Sequence, residues 1–380
     1  MKHFFKKLYE ENILPLFVLY FIIKLLFILV RRYKKIKAEI KEALAIFESP
    51  NTKKSYLRKQ YRKLVVYRYI YSIRPTEYYL FDFEKNSFED REKFITRQQT
   101  ARYYSVINNK KFKKILDKKN LCYKVFKKYY KRDLICIRNE EDKDELFEFL
   151  KKHNEFILKP FAGHSGEGIE IIRNSNFSNY DEMFEYLISK APFVAEELIK
   201  QSSDLGCFHE QSVNTIRVVT FQYKGDLSIL WTFLRVGQGD NEVDNMGAAG
   251  IGALIDQNTG IIISDGVDWK GSLIEKHPDS NITFKGFQIP RWNELIETVK
   301  ELASELSEMH CIGWDLALTS DGWVLVEGNA RPQCVTIQTF TKKGYKNYYE
   351  RMYNLVKQLH AEERALYAEN NEDNEDEDDN

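Results

Sequence analysis

Apolar residues recur at two different spacings along this chain, and the change from one to the other falls close to residue 133. From Lys34 to about Arg74 they stand three and four apart among Lys, Arg and Tyr, which predicts helices, and Pro75 interrupts the run. The segment NNKKFKKILDKKNLCYKVFKKYY, residues 108–130, continues the basic helical texture. After Asp133, short strand signals alternate with helical ones. LICI (134–137) and EFILKP (155–160) read as strands on either side of the helical DKDELFEFLKKH (142–153). IEII (169–172) reads as another strand and YDEMFEYLISK (180–190) as a helix. FVAEELI (193–199), TIRVVTFQY (215–223), LSILWTFLRVG (227–237) and GALID (252–256) carry the β-branched and aromatic enrichment of strands. RWNELIETVKELASEL (291–306) is an amphipathic helix, followed by the strands WDLALT (314–319) and WVLVEGN (323–329) across a Ser-Asp-Gly turn. The pattern predicts an α+β architecture, with no internal repeat.

Both ends depart from this pattern. Ile13–Val30 is an apolar run broken only by Pro15 and Lys24, with Arg31, Arg32, Lys34, Lys35 and Lys37 after it. Eighteen residues is at the short end for a membrane span, and a central lysine costs roughly 2.5–3.5 kcal/mol on insertion. A span and a helix packed on the rest of the protein both stay open. A span would keep the bulk of the chain in the cytoplasm, attached to the membrane's cytoplasmic face. At the other end, residues 369–380 hold eight carboxylates and no base, which reads as a solvated, disordered tail. The divisions expected are a hydrophobic and basic segment (1–37), a basic helical region (38–135), an α+β region (136–345), a C-terminal helix (346–368) and the acidic tail.

Charge adds one asymmetry. Lys and Arg number 57 against 57 Asp and Glu, yet residues 1–138 hold 35 of the bases and 13 of the acids, a local excess of +22. Such a surface suits an anionic membrane or a phosphorylated substrate, and no nucleic-acid motif accompanies it. The five cysteines fit neither a disulfide framework nor a zinc spacing, and no two histidines stand four apart.

Three constellations carry chemistry. In FILKPFAGHSGEGIEII, Lys159 ends a strand, and Gly163, Ser165, Gly166 and Gly168 follow in a loop able to close over phosphates. No Gly-Lys-Ser/Thr ends the run, so it is not a P-loop. In FVAEELI, the strand entering Glu196, Glu197 and Ile199 offers backbone groups to an adenine edge and a carboxylate to a ribose. In GWDLALTSDGWVLVEGNARP, Glu327 and Asn329 lie two apart on one strand with Asp315 on its partner, three oxygen ligands suited to Mg²⁺. Each of the first two alone is equally what a structural turn or an edge strand looks like; burying Asp, Glu and Asn together asks for something cationic.

In this order and spacing the three resemble the ATP-grasp superfamily. SVNTIRVVTF, the Arg235–Gly250 segment, HPDS, GFQIPRW, IGWDLAL and VLVEGN narrow the likeness to the sugar-transfer-associated ATP-grasp family, over roughly residues 65–345. The resemblance implies two α+β lobes clasping ATP. It places Lys159 and the Gly163–Gly168 loop on the phosphates, Glu196, Glu197 and Ile199 at the nucleoside, and Asp315, Glu327 and Asn329 on Mg²⁺. Arg217, Arg235 and Asn245, with Asp244 nearby, would act on the reacting groups. A second nucleotide lysine is expected, taken as Lys118 with Lys119 and Lys124 as alternatives. Ala248–Ala249–Gly250 departs from the Gly-Gly common in relatives, and His277 is read as structural. The implied reaction is carboxylate–amine ligation through an acyl phosphate in polysaccharide or cell-envelope sugar synthesis, on a small carboxylate or sugar-linked substrate. A phosphotransferase and a nucleotide-binding membrane adaptor are the alternatives.

Overall fold

The computed structural model describes residues 33–161, 168–240 and 250–378, with side chains as far as residue 366. Ile13–Val30, Gly163, Ser165, Gly166, Asp244 and Asn245 lie outside the described residues. Among those described, no helix is long and apolar enough to cross a membrane.

The chain divides after Glu92 into two compact units. The described part of the first is helical, with a helix through residues 33–47 and others at Lys54–Ile70, Pro75–Leu80 and Phe88–Glu92. The helix Lys54–Ile70 stops short of Pro75, and Pro75 opens the next: it occupies the first turn, where its missing N–H costs nothing, and Glu77 accepts the Arg74 N–H at 2.9 Å. Residues 93–135 thus belong to the second compact unit. The apolar face of Arg97–Ile107 explains it, since Tyr104 and Ile107 join Ile95 in a core shared with Phe221, Phe233 and the C-terminal residues Tyr349 and Met352.

The second unit holds two antiparallel sheets. Four strands, β1 (Leu134–Ile137), β2 (Glu155–Pro160), β3 (Glu170–Arg173) and β4 (Phe193–Glu197), stand in the order β1-β4-β2-β3. One face of this sheet, carrying Ile137, Phe156, Leu158, Phe193 and Ala195, is covered by Leu146, Phe149 and Leu150 of the helix Lys143–Lys152 and by Met183 and Leu187 of Tyr180–Ser189. The other face carries Leu134 and Val194 into the large core.

The larger sheet has β5 (Thr215–Tyr223), β6 (Asp226–Val236), β7 (Ile251–Ile255), β8 (Gly266–Val267), β9 (Leu273–Ile274), β10 (Cys311–Thr319) and β11 (Gly322–Asn329), ordered β11-β10-β5-β6-β7-β8-β9. Alternation along β5 sends Ile216 and Val218 to one core and Val219 and Phe221 to the other, so both faces are covered. The helix Trp292–Ser304 covers the first face with Trp292, Leu295, Val299 and Leu302. The last helix, Lys346–Asp378, carries its backbone ten residues past 368, the end expected for it, because no Gly or Pro interrupts the stretch.

Candidate functional site

A β-bulge assembles the acid-and-amide cluster. Trp323 and Leu325 of β11 point into the large core, and strict alternation would send Glu327 there too. The register slips instead. Leu325 pairs with Leu316 but Glu327 pairs with Asp315, so Val326 is the extra residue and Glu327 turns to the opposite face. Asn329 then pairs with Gly313 on that same face, while Gly328 lies against Leu116 and Trp314 behind it. Cross-strand partners share a face, so Arg217, opposite Asp315 on β5, joins the group. Arg235, opposite Thr215 on β6, completes it. The sequence-predicted Asp315, Glu327, Asn329, Arg217 and Arg235 thus converge.

Their roles separate by burial. The Asp315 side chain is 3% exposed, and that of Glu327 is 55% exposed. Arg217 grips Asp315 through two nitrogens, its Nη2 donating to Oδ2 at 2.6 Å, and Arg235 Nη1 donates to Oδ2 at 2.9 Å. Burial alone would raise the Asp315 pKa; the two guanidinium groups outweigh it and hold the carboxyl below its ordinary value. Glu327 accepts from Asn329 Nδ2 at 2.9 Å and lies 3.9 Å from Arg217 Nη2. Hard, partly exposed oxygens on Glu327 and Asn329 fit Mg²⁺. The oxygens of Asp315 already serve two arginines, so Asp315 fits as the anchor that fixes them rather than as the most open ligand.

A second cluster stands on the small sheet. Lys159 and Glu196 share a face, because Ile157 pairs with Glu196 and Lys159 with Val194. Lys159 Nζ donates to Glu196 Oε2 at 2.8 Å, and Arg132 Nε donates to Oε1 at 2.8 Å. Burial pushes the Glu196 pKa up, but Arg132 and Lys159 together bring it down to about 2. Arg132 also donates to the carbonyl of Leu325 at 2.8 Å, which ties the small sheet to β11. Lys119 lies within electrostatic reach of both clusters. Its pKa is lowered by burial, while Glu327 and Glu196 act to raise it and Lys159 to lower it. Lys118 and Lys124 are exposed, and Lys118 caps the helix Lys119–Tyr130.

The Glu196 shift gives a pH prediction. The unfolded carboxyl titrates near 4.5 and the folded one near 2. Between these values the unfolded chain binds the extra proton, so this contribution to stability is complete above pH 4.5 and is lost as pH falls toward 2. Urea midpoints measured across that range should fall less steeply in Glu196→Gln than in the parent. Parallel curves would remove Glu196 from the ion-pair role given to it.

The end of β4 carries the residues expected at the nucleoside. Both Glu196 oxygens are engaged by cations. Glu197 pairs with Phe156 on the helix-covered face, so its side chain points away from Lys159. Beside Lys159 the β4 strand thus presents the ion-paired Glu196 and then the backbone through Ile199. That segment is pinned by Gln201, whose Nε2 donates to the carbonyls of His209 (2.9 Å) and Ser212 (2.7 Å). Ser202 N donates to the carbonyl of Leu318 at 2.7 Å. Sequence reasoning missed Arg132, Gln201 and Asn214; the last donates to the carbonyls of Leu205 and His209, both at 3.0 Å. A single sequence holds no signal for an arginine 64 residues from its partner. His277 is buried, and its Nε2 lies 2.8 Å from the carbonyl oxygen of Gly237. Burial lowers its pKa, and the contact holds the turn into residue 240, a structural role.

A family model described as sugar-transfer associated ATP-grasp matches residues 98–354. Among solved structures, a D-alanine–D-alanine ligase from Helicobacter pylori is similar at 16% identity over 63% of this chain and 61% of that one, with a TM-score of 0.39. A phosphoribosylamine–glycine ligase from Thermotoga maritima is similar at 15% identity over 65% and 56%, with a TM-score of 0.42. An L-amino acid ligase from Bacillus licheniformis is similar at 12% identity over 62% and 48%, with a TM-score of 0.37. This chain therefore spans about half to three fifths of those proteins' lengths. No curated protein gives a significant match.

Proposed function

The chain belongs to the sugar-transfer-associated ATP-grasp family, and from that premise we propose that it is an ATP- and Mg²⁺-dependent carboxylate–amine ligase. A substrate carboxylate oxygen attacks the γ-phosphorus of ATP, the bond to the β-phosphate oxygen breaks, and ADP leaves. An amine then attacks the acyl carbon, phosphate departs with the C–O bonding pair, and the amine's proton passes to water. The observation that carries this reading is the bulge at Val326, which sets Glu327 and Asn329 beside the Asp315–Arg217–Arg235 group.

The chain's own contributions are charge placement and orientation. Lys159, held by Glu196, and Lys119 would lie along the phosphates. Arg217 and Arg235, fixed by Asp315, would face the charge that builds on the transferring phosphoryl group and on the acyl-phosphate oxygen. Glu327 and Asn329 would hold Mg²⁺, which when bound supplies charge neutralisation on the phosphate oxygens. The backbone through Ile199 would meet adenine. The family description and the basic first unit point to a sugar-linked carboxylate or amine of cell-envelope or polysaccharide assembly, with the reaction in the cytoplasm.

The reaction is tested by ADP and phosphate release against panels of amino acids and sugar acids, with the product identified by mass. An amide with free phosphate supports ligation; a stable phosphoryl ester without free phosphate replaces ligase by kinase. The placement of the lysines has its own test. Lys159→Ala should weaken ATP binding about tenfold to a hundredfold, the loss of one charge-assisted contact of roughly 1.5–3 kcal/mol. Lys119→Ala should weaken it as well, and Lys118→Ala should leave it near the parent value. Calorimetric titrations showing the reverse order for Lys118 and Lys119 would restore Lys118 to the site.

A further inference from the structure

The covered face of the small sheet carries a second polar cluster, which the ligase reading does not use. Asp133, just before β1, His153, just after the helix Lys143–Lys152, and Glu197, at the end of β4, offer donor atoms within 4.8 Å of one another. His153 Nε2 lies 3.0 Å from Asp133 Oδ2, and Glu197 Oε2 accepts the Asp133 N–H at 3.1 Å. Three separate segments therefore deliver one imidazole and two carboxylates to one point. Glu197 faces away from Lys159 and Glu196, which sit on the opposite surface of the same four strands. Phe149 packs against the imidazole, with ring centroids 4.5 Å apart, and fixes its position.

We propose that Asp133, His153 and Glu197 form a binding site for a divalent first-row transition ion of the Zn²⁺ class, separate from the nucleotide cleft. Ligands sharing one tetrahedral ion, each at about 2.0–2.2 Å, lie about 3.3–3.6 Å apart. The donor atoms lie within 4.8 Å of one another, so binding needs a contraction of at most about 1–1.5 Å. Asp133, with its side chain 58% exposed, has room to make it and leaves an open side where water completes the coordination. The imidazole nitrogen selects this class over Mg²⁺, which takes oxygen. A bound ion would staple the start of β1 and the end of β4 to the helix end between them. Zinc spacing is invisible in the sequence because 64 residues separate Asp133 from Glu197.

The test uses the full chain freed of metal by chelation, titrated calorimetrically with Zn²⁺ and, in parallel, with Co²⁺ followed by visible absorption. One ion per chain is expected at this site. His153→Ala and Asp133→Asn should each weaken it about tenfold to a hundredfold, and Glu327→Gln should leave it unchanged. Circular dichroism without metal checks folding; should His153→Ala fail to fold, Asp133→Asn, at an exposed position, carries the same test. The proposal is overturned if the parent takes up no Zn²⁺, if both variants bind it as the parent does, or if Mg²⁺ in excess displaces it. In the first two cases the cluster is a His–carboxylate contact only, and the ATP site is untouched by that result.

Discussion

Glu327→Gln should lower turnover by roughly a hundredfold to a thousandfold while leaving the melting temperature close to that of the parent. The expected size is that of removing one group that stabilises developing transition-state charge. The neutrality in stability follows from exposure, since the Glu327 side chain is 55% exposed and accepts from Asn329 Nδ2 at 2.9 Å. Glutamine keeps the length and accepts the same bond. ATP should still bind through Lys159, Lys119 and the backbone beyond β4, so the loss falls on kcat more than on KM. Raising Mg²⁺ should recover only part of it, because the missing charge acts on the bound transition state as well as on metal affinity. Single-turnover measurements with calorimetric ATP binding separate the two effects. Normal turnover at limiting Mg²⁺ would remove Glu327 from the ligand set and with it the main support for ligation.

The strands that carry these groups are legible in the sequence, and the way they are turned is not. TIRVVTFQY and WDLALT–SDG–WVLVEGN announce themselves because alternation and β-branched enrichment are local properties. The slip at Val326 leaves no such trace. A bulge is chosen by the partner strand, and Val-Leu-Val-Glu reads the same with or without it. Asp315 and Glu327 are both recognisable as site acids, but only their surroundings divide them into a buried partner of two arginines and an exposed carboxylate. Lys118 and Lys119 are neighbours between which the sequence does not choose; Lys118 is the exposed, extended cap of the helix, whereas Lys119 is its first residue, partly buried and within electrostatic reach of Glu327 and Glu196. The division after Glu92 was hidden for a related reason: 93–107 shares its basic texture with what precedes it, while its packing is with residues some 240 positions later, as in Gln338 Oε1 accepting the Ile95 N–H at 3.0 Å.

Asp315→Ala should behave in the opposite way to Glu327→Gln, although the two acids face each other in one register pair. It removes the partner of two guanidinium groups whose side chains are 14% and 11% exposed. Breaking a buried ion pair from one side leaves the remaining charge uncompensated, at about 3–5 kcal/mol, and in a unit of this size each kcal/mol moves the melting temperature by about 2–4 °C. A fall of roughly 6–20 °C is therefore expected, with activity lost as well because Arg217 and Arg235 are no longer aimed. The control lies in the pairing itself. Swapping all three for apolar residues, as in Asp315→Leu with Arg217→Met and Arg235→Met, should recover much of the lost stability without recovering turnover, since no charge is then left stranded. That combination separates holding the fold from serving the reaction. Were Asp315→Ala to melt with the parent, the arginines would have found water, and Asp315 would join Glu327 as an open ligand rather than their anchor.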